Sequence, residues 1–110
     1  MNPKEQREVF SANLNRLIAK TGKSKAQVAD ELEVAKTTLS NWCTNISVPN
    51  WAKIRKIADY FNVSPNKLVE PYDPKAERME MFLEEVLGLD DSKFDMLYSY
   101  LQFLTKKEGD

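Results

Sequence analysis

The 110-residue chain has no histidine and one cysteine, Cys43. Without histidine there is no Ser-His-Asp or Cys-His nucleophile, no imidazole acid–base chemistry and little means of holding a transition metal. A lone thiol closes no internal disulfide and builds no cysteine zinc site. Long apolar runs are also missing. The longest is three residues, as at Leu17, Ile18 and Ala19, where a membrane helix needs about 20 and a signal peptide about 7–15. No stretch alternates in the manner of a strand, and there is no repeat or low-complexity segment. Only carboxylate chemistry survives as a catalytic option, and no paired acids converge in the pattern. The chain is expected to be cytoplasmic, all-α and not an enzyme, with no metal, cofactor, membrane or small-molecule ligand, and its work is expected to be binding.

One absence is local. Residues 34–58 contain no Asp or Glu, although 17 are spread over the whole chain. Lys36, Lys53, Arg55 and Lys56 remain in that stretch. A surface that keeps positive charge and excludes negative charge suits a polyanion. The net charge of −1 conceals a division. Residues 1–70 carry eleven Lys and Arg against seven Asp and Glu; residues 71–110 carry five against ten. A basic front and an acidic back suggest different partners, unless the imbalance is chance drift.

What is present is helical periodicity. The first helix covers about residues 3–20, with Phe10, Leu14, Leu17 and Ile18 on one stripe and Gly22 placed for a left-handed cap. Ser24 caps a short second helix carrying Val28, Ala29 and Leu32, followed by Val34 as a buried turn residue. A third helix spans about residues 36–44. Pro49 and Asn50 introduce a fourth with Ile54, Ile57, Ala58 and Phe61 inward. Ser64 as cap and Pro65 at the first helical position open a fifth, with Leu68 and Val69. Pro71 and Pro74 interrupt the pattern, so the expected division is 1–70, a 71–74 linker, and 75–110. The last part reads as an αα-hairpin. Its stripes are Met79, Phe82, Leu83, Val86 and Leu87, then Phe94, Leu97, Tyr98, Leu101 and Leu104. Gly88 and Leu89 are expected to form a Schellman ending, and Asp90 or Asp91 to cap the second helix.

The third helix separates into two faces. Leu39, Trp42 and Cys43 share the apolar one; Lys36, Thr37, Ser40, Asn41 and Thr44 fall opposite. Thr, Ser and Asn are poor helix formers, and gathering four of them on an exposed face costs on the order of 1–2 kcal/mol relative to Ala or Glu. A base-reading surface gives them a use, since these side chains reach base edges and phosphates in a major groove. The plainer alternative is a polar, turn-rich segment with no binding role. Cys43 reads as a small buried filler rather than a redox sensor, and Trp42 as core. Trp51 is either packed or beside a backbone-contacting surface. Lys53, Arg55 and Lys56 cannot all face one way, and Tyr60 reads as packing. Tyr98 and Tyr100 fall on different faces, so at most one belongs to the hairpin core.

Residues 24–69 resemble the helix-turn-helix domain of the lambda-repressor and Cro-like regulator family. The matching residues are Ala29, the apolar Val28, Leu32, Val34, Leu39 and Trp42, then Pro49, Ile57-Ala58 and Phe61-Asn62-Val63-Ser64. The resemblance implies a five-helix DNA-binding domain whose recognition helix is 36–44. It assigns base reading to Lys36, Thr37, Ser40 and Asn41, and phosphate contacts to Ser24, Lys25, Thr44, Asn45 and Ser47. Lys25 replaces a common glutamine, which implies a longer-reaching and less defined phosphate contact. Glu33 stands where the family prefers glycine for a positive φ, a strain of about 1 kcal/mol. Asn45 replaces another frequent glycine, and asparagine tolerates that geometry.

The resemblance further implies a phage-type transcriptional repressor that occupies a double-stranded operator as a dimer and excludes polymerase. The two half-sites such proteins bind lie ~34 Å apart. The hairpin stripes are too broad for two helices to bury alone. They would dock on the first domain, pair with another copy, or capture a different protein. Self-pairing through Met79, Phe82, Leu83, Val86, Phe94, Leu97, Leu101 and Leu104 is the favoured expectation, because it supplies the dimer. The residues beyond the prolines are too few for the self-cleaving domain of larger phage repressors, so release is expected from an antirepressor protein on the acidic hairpin. The alternative is an antitoxin or adaptor whose tail binds a different protein.

Overall fold

The computed structural model describes residues 1–106; the last four residues of the expected hairpin region lie outside the described residues. The described helices are α1 (Pro3–Thr21), α2 (Lys25–Glu31), α3 (Lys36–Cys43), α4 (Trp51–Phe61), α5 (Asn66–Val69), α6 (Pro74–Leu87) and α7 (Asp91–Thr105). The chain divides into two units, Met1–Tyr72 and Asp73–Asp110.

The first unit is organised around α1. Asn2 caps that helix by accepting from the Glu5 N–H at 2.8 Å, and its amide donates back to the Glu5 carboxylate at 3.0 Å. Phe10, Leu14, Leu17 and Ile18 are buried, as their spacing predicts. They meet Val28 and Ala29 of α2, Leu39, Trp42 and Cys43 of α3, Ile54, Ile57 and Ala58 of α4, and Leu68 of α5 in one core. Phe10 and Trp42 pack edge to face, with ring centroids 6.4 Å apart. Val34 is only partly buried, against the edge of this core.

Caps decide where the helices stop. Gly22 takes φ 70° and ends α1. The Ser24 hydroxyl accepts from the Gln27 N–H and starts α2. Asn50 does the same for α4 through the Lys53 N–H. The third helix ends at Cys43 rather than at residue 44, because Asn45 turns to φ 65° and Thr44 leaves helical geometry. The fifth begins at Asn66, one residue later than expected. Pro65 is its cap with no side-chain cap bond, and Ser64 contributes its backbone carbonyl to the Lys67 N–H.

The second unit is α6 and α7. Pro74 is not linker but the first residue of α6, where its missing N–H costs nothing, and Asp73 caps it through the Lys75 and Ala76 N–H groups. The expected Schellman ending is absent. Gly88 has φ −84°, and tight turn bonds run from Gly88 to Glu85 and from Leu89 to Val86. Gly88 never needs the left-handed region, because Asp90 starts α7 at once by accepting from the Lys93 N–H at 2.8 Å. The two helices border an apolar cavity of about 370 Å³. Neither helix buries a single residue. Phe82, Leu83, Val86, Phe94, Leu97, Leu101 and Leu104 line the cavity, as the stripes predict, whereas Met79 and Leu87 do not. Both Tyr98 and Tyr100 border it and both stay exposed, so neither is core, within the expectation that at most one would be. No described helix is long and apolar enough to cross a membrane.

Candidate nucleic-acid interface

The turn between α2 and α3 is set by Glu33 at φ 60°, the left-handed geometry expected there. The Val34 N–H then bonds the Ala29 carbonyl at 3.0 Å. Ala29 is buried between the motif helices, where a larger side chain would push them apart. Burial of Leu39, Trp42 and Cys43 fixes the rotation of α3, leaving Lys36, Thr37, Ser40 and Asn41 exposed together on the opposite face. Glu31 and Glu33 precede that face, and no acid follows until Asp59.

The end of α3 is held from below by residues that sequence patterns do not single out. The Ser11 hydroxyl donates to the Cys43 carbonyl at 2.6 Å, and the Asn15 amide donates to the same oxygen at 2.9 Å. Carbonyls in the last turn of a helix lack internal partners. Here α1 supplies two donors and pins the C-terminal end of α3 to the core. Asn13 serves α5 likewise, donating to the Leu68 and Glu70 carbonyls at 2.9 and 2.8 Å. Arg16 donates to the Asn13 side-chain oxygen at 2.9 Å, and its guanidinium lies 3.8 Å from the centre of the Tyr72 ring. The only legible signal for this comb was a set of polar residues flanking the apolar stripe of α1.

The residues assigned to phosphate contacts differ in how free they are. Ser24 uses its oxygen as an acceptor in the α2 cap, so its proton remains available for an outside acceptor. Thr44 has already committed its proton, donating to the Ser40 carbonyl at 2.7 Å. A phosphate contact at Thr44 would require the hydroxyl to turn away from that carbonyl. Asn45 is exposed in left-handed geometry, and Ser47 is half-buried with its N–H directed at the Asn41 carbonyl. Lys25 is exposed at the start of α2. Burial pushes the Cys43 thiol above the usual cysteine range, and the positive charge of Lys25 opposes that shift. A buried thiol with a raised pKa is a poor nucleophile, which supports the filler role.

A second polar cluster joins the two ends of α2 to α4. Lys23 donates to both Glu31 oxygens at 2.7 and 3.1 Å, and the Tyr60 hydroxyl donates to Glu31 at 2.9 Å. Tyr60 therefore packs against the core of its domain, as expected. Trp51 is exposed rather than packed.

A polar, acid-free helix face carried on a turn between two packed helices defines a helix-turn-helix DNA-binding protein. Residues 14–68, half of the chain, match the helix-turn-helix family HTH_3, and the chain belongs to that family. Among solved structures, the SOS-response transcriptional repressor LexA from Eubacterium rectale is 35% identical, over 67% of this chain and 79% of that one, with a TM-score of 0.62. A transcriptional regulator from Listeria innocua is 23% identical, over 89% of this chain and 96% of that one, with a TM-score of 0.51, a likeness of fold. No curated protein matches the chain. It is a DNA-binding transcriptional regulator.

Proposed function

We propose that this regulator is a repressor of small phage-repressor type that binds operator DNA sequence-specifically as a dimer and blocks polymerase by occupying the site. The observation that carries the reading is the exposed α3 face, where Lys36, Thr37, Ser40 and Asn41 stand together inside a stretch, residues 34–58, that contains no carboxylate. Asn41 pairs with adenine through its donor and acceptor, Lys36 with guanine or phosphate, and Thr37 and Ser40 with base edges. Ser24, Lys25, Asn45 and Ser47 hold the flanking phosphates, and Thr44 joins them once its hydroxyl turns from the Ser40 carbonyl. The Eubacterium rectale neighbour is itself a repressor by name.

The dimer forms through the hairpin. Phe82, Leu83, Phe94, Leu101 and Leu104 are all exposed on one chain, and water-exposed apolar surface of this extent marks an association face. A second hairpin would cover it, making four helices from two. Its excess of acids keeps the hairpin away from DNA, and an antirepressor bound there would release the operator. A second reading, an adaptor or antitoxin whose hairpin binds a basic protein, draws on the same exposed apolar and acidic surface. Replacing Phe82 and Leu101 together by lysine tests the proposal by sedimentation and operator titration. The expected result is a monomer with weakened operator binding. A variant that keeps both dimer mass and affinity contradicts it. A stable complex of wild-type monomer with a different protein, operator binding unaffected, favours the second reading.

A further inference from the structure

Three helices of the first unit end in the same way. After α2, α3 and α4 the chain passes through a non-glycine residue in left-handed geometry, namely Glu33, Asn45 and Asn62. The next residue is β-branched each time. The N–H groups of Val34, Ile46 and Val63 reach back to the carbonyls of Ala29, Asn41 and Ala58, each at 3.0 Å. Such an ending sets an apolar side chain against the last turns of its own helix. Val34 and Val63 follow the rule, packing on the core beside the buried Ala29 and Ala58. Ile46 does not. It is 64% exposed, and the residue it bonds is Asn41, on the polar face of α3.

Trp51 repeats the anomaly. It stands three and seven positions before Ile54 and Ala58, on the inward stripe of α4, yet it is 54% exposed. Val48, between them, is 36% exposed. All three lie within the acid-free stretch 34–58, with Lys53, Arg55 and Lys56 following.

We infer that Ile46, Val48 and Trp51 form an apolar lip of the DNA interface, lying against deoxyribose rings and thymine methyl groups beside the groove that α3 enters. The inference rests on the proposed orientation of α3 toward DNA. Two observations select DNA as the occupant. The Ile46 and Ser47 N–H groups both bond the Asn41 carbonyl, at 3.0 and 3.4 Å, so the segment that carries the lip is tied to the end of the helix that carries the base-reading face. The surrounding stretch is also free of the carboxylates that would repel a polyanion. An apolar contact displaces no condensed counterions, so the lip adds affinity without changing its salt dependence.

The test uses the full chain and a duplex of about two helical turns selected by the wild-type protein from a random pool. Binding is titrated across a salt series for wild type, Ile46→Ala, Trp51→Ala and Trp51→Phe, with melting temperature and sedimentation alongside. Ile46→Ala is the decisive variant, because an exposed side chain adds little to the core. Each alanine variant is expected to bind about tenfold more weakly, with an unchanged slope of log affinity against log salt, while Trp51→Phe retains most of the affinity. Duplex is also expected to shield the Trp51 fluorescence of wild type from acrylamide. Wild-type affinity in Ile46→Ala and Trp51→Ala overturns the inference. A shallower salt slope overturns it by making the lip an aid to phosphate contacts, and a loss of dimer mass overturns it by making the lip a protein contact. A wild-type chain that binds no duplex defeats the proposed function itself, which separates the two failures.

Discussion

Among the residues of α3, Asn41 alone carries a donor and an acceptor on one planar group, the arrangement that pairs with adenine in a major groove. Asn41→Ala is expected to leave the fold intact and to reduce discrimination between operator and non-operator duplexes by roughly 1–3 kcal/mol. A competition titration measures it. Lys25, exposed at the start of α2, is proposed to supply charge to phosphates without a fixed geometry. Lys25→Ala is expected to weaken every duplex alike and to reduce the salt slope by about 1. The Lys23–Glu31–Tyr60 cluster yields a prediction of a different kind. The Lys23 ammonium, then the Tyr60 hydroxyl, hold the Glu31 carboxyl below its usual range, and Glu31 raises Lys23. A depressed carboxyl stabilises the fold above its unfolded pKa and loses that contribution as pH falls through the folded value. A raised ammonium keeps its contribution up to high pH. Glu31→Gln is therefore expected to lower the melting temperature at neutral pH, by an amount that shrinks with added salt and vanishes in acid.

At the scale of elements, the 3.6-residue periodicity made the core legible. Phe10, Leu14, Leu17, Ile18, Ile54, Ile57 and Ala58 are buried where their spacing places them. Departures come from groups whose partners are distant in sequence. Ser11 and Asn15 look like ordinary polar residues of α1, and only tertiary contact shows them bonding the Cys43 carbonyl at the end of α3. Gly88 carries a residue type that suggests a left-handed ending, yet the immediate restart at Asp90 keeps it right-handed. Pro74 was legible as a breaker and proves to be a starter, a difference that depends on whether Asp73 caps it. Glu33 is the converse case, with a positive φ correctly anticipated on a residue type that disfavours it. Glu33→Gly is expected to raise stability by about 0.5–1 kcal/mol, left-handed strain relieved outweighing the unfolded-state entropy of glycine. Chemical denaturation measures it, and a loss of stability would contradict a strained turn.

Over the whole molecule, charge and apolar surface are divided between two units. The first closes a core of its own and keeps its acid-free face outward. The second buries none of its described residues and leaves an apolar cavity open. The sequence signalled that imbalance through stripes too broad for two helices. It could not say what covers them, because one chain carries no record of its neighbour. The sequence specificity proposed for this regulator nevertheless resides in the first unit, on the polar face of α3. The most direct measurement compares wild type with the triple variant Thr37→Ala, Ser40→Ala, Asn41→Ala on a selected duplex and on a scrambled duplex of equal length. The variant is expected to fold, to keep salt-dependent affinity for both duplexes and to distinguish them no longer. A triple variant that discriminates as well as wild type would contradict it.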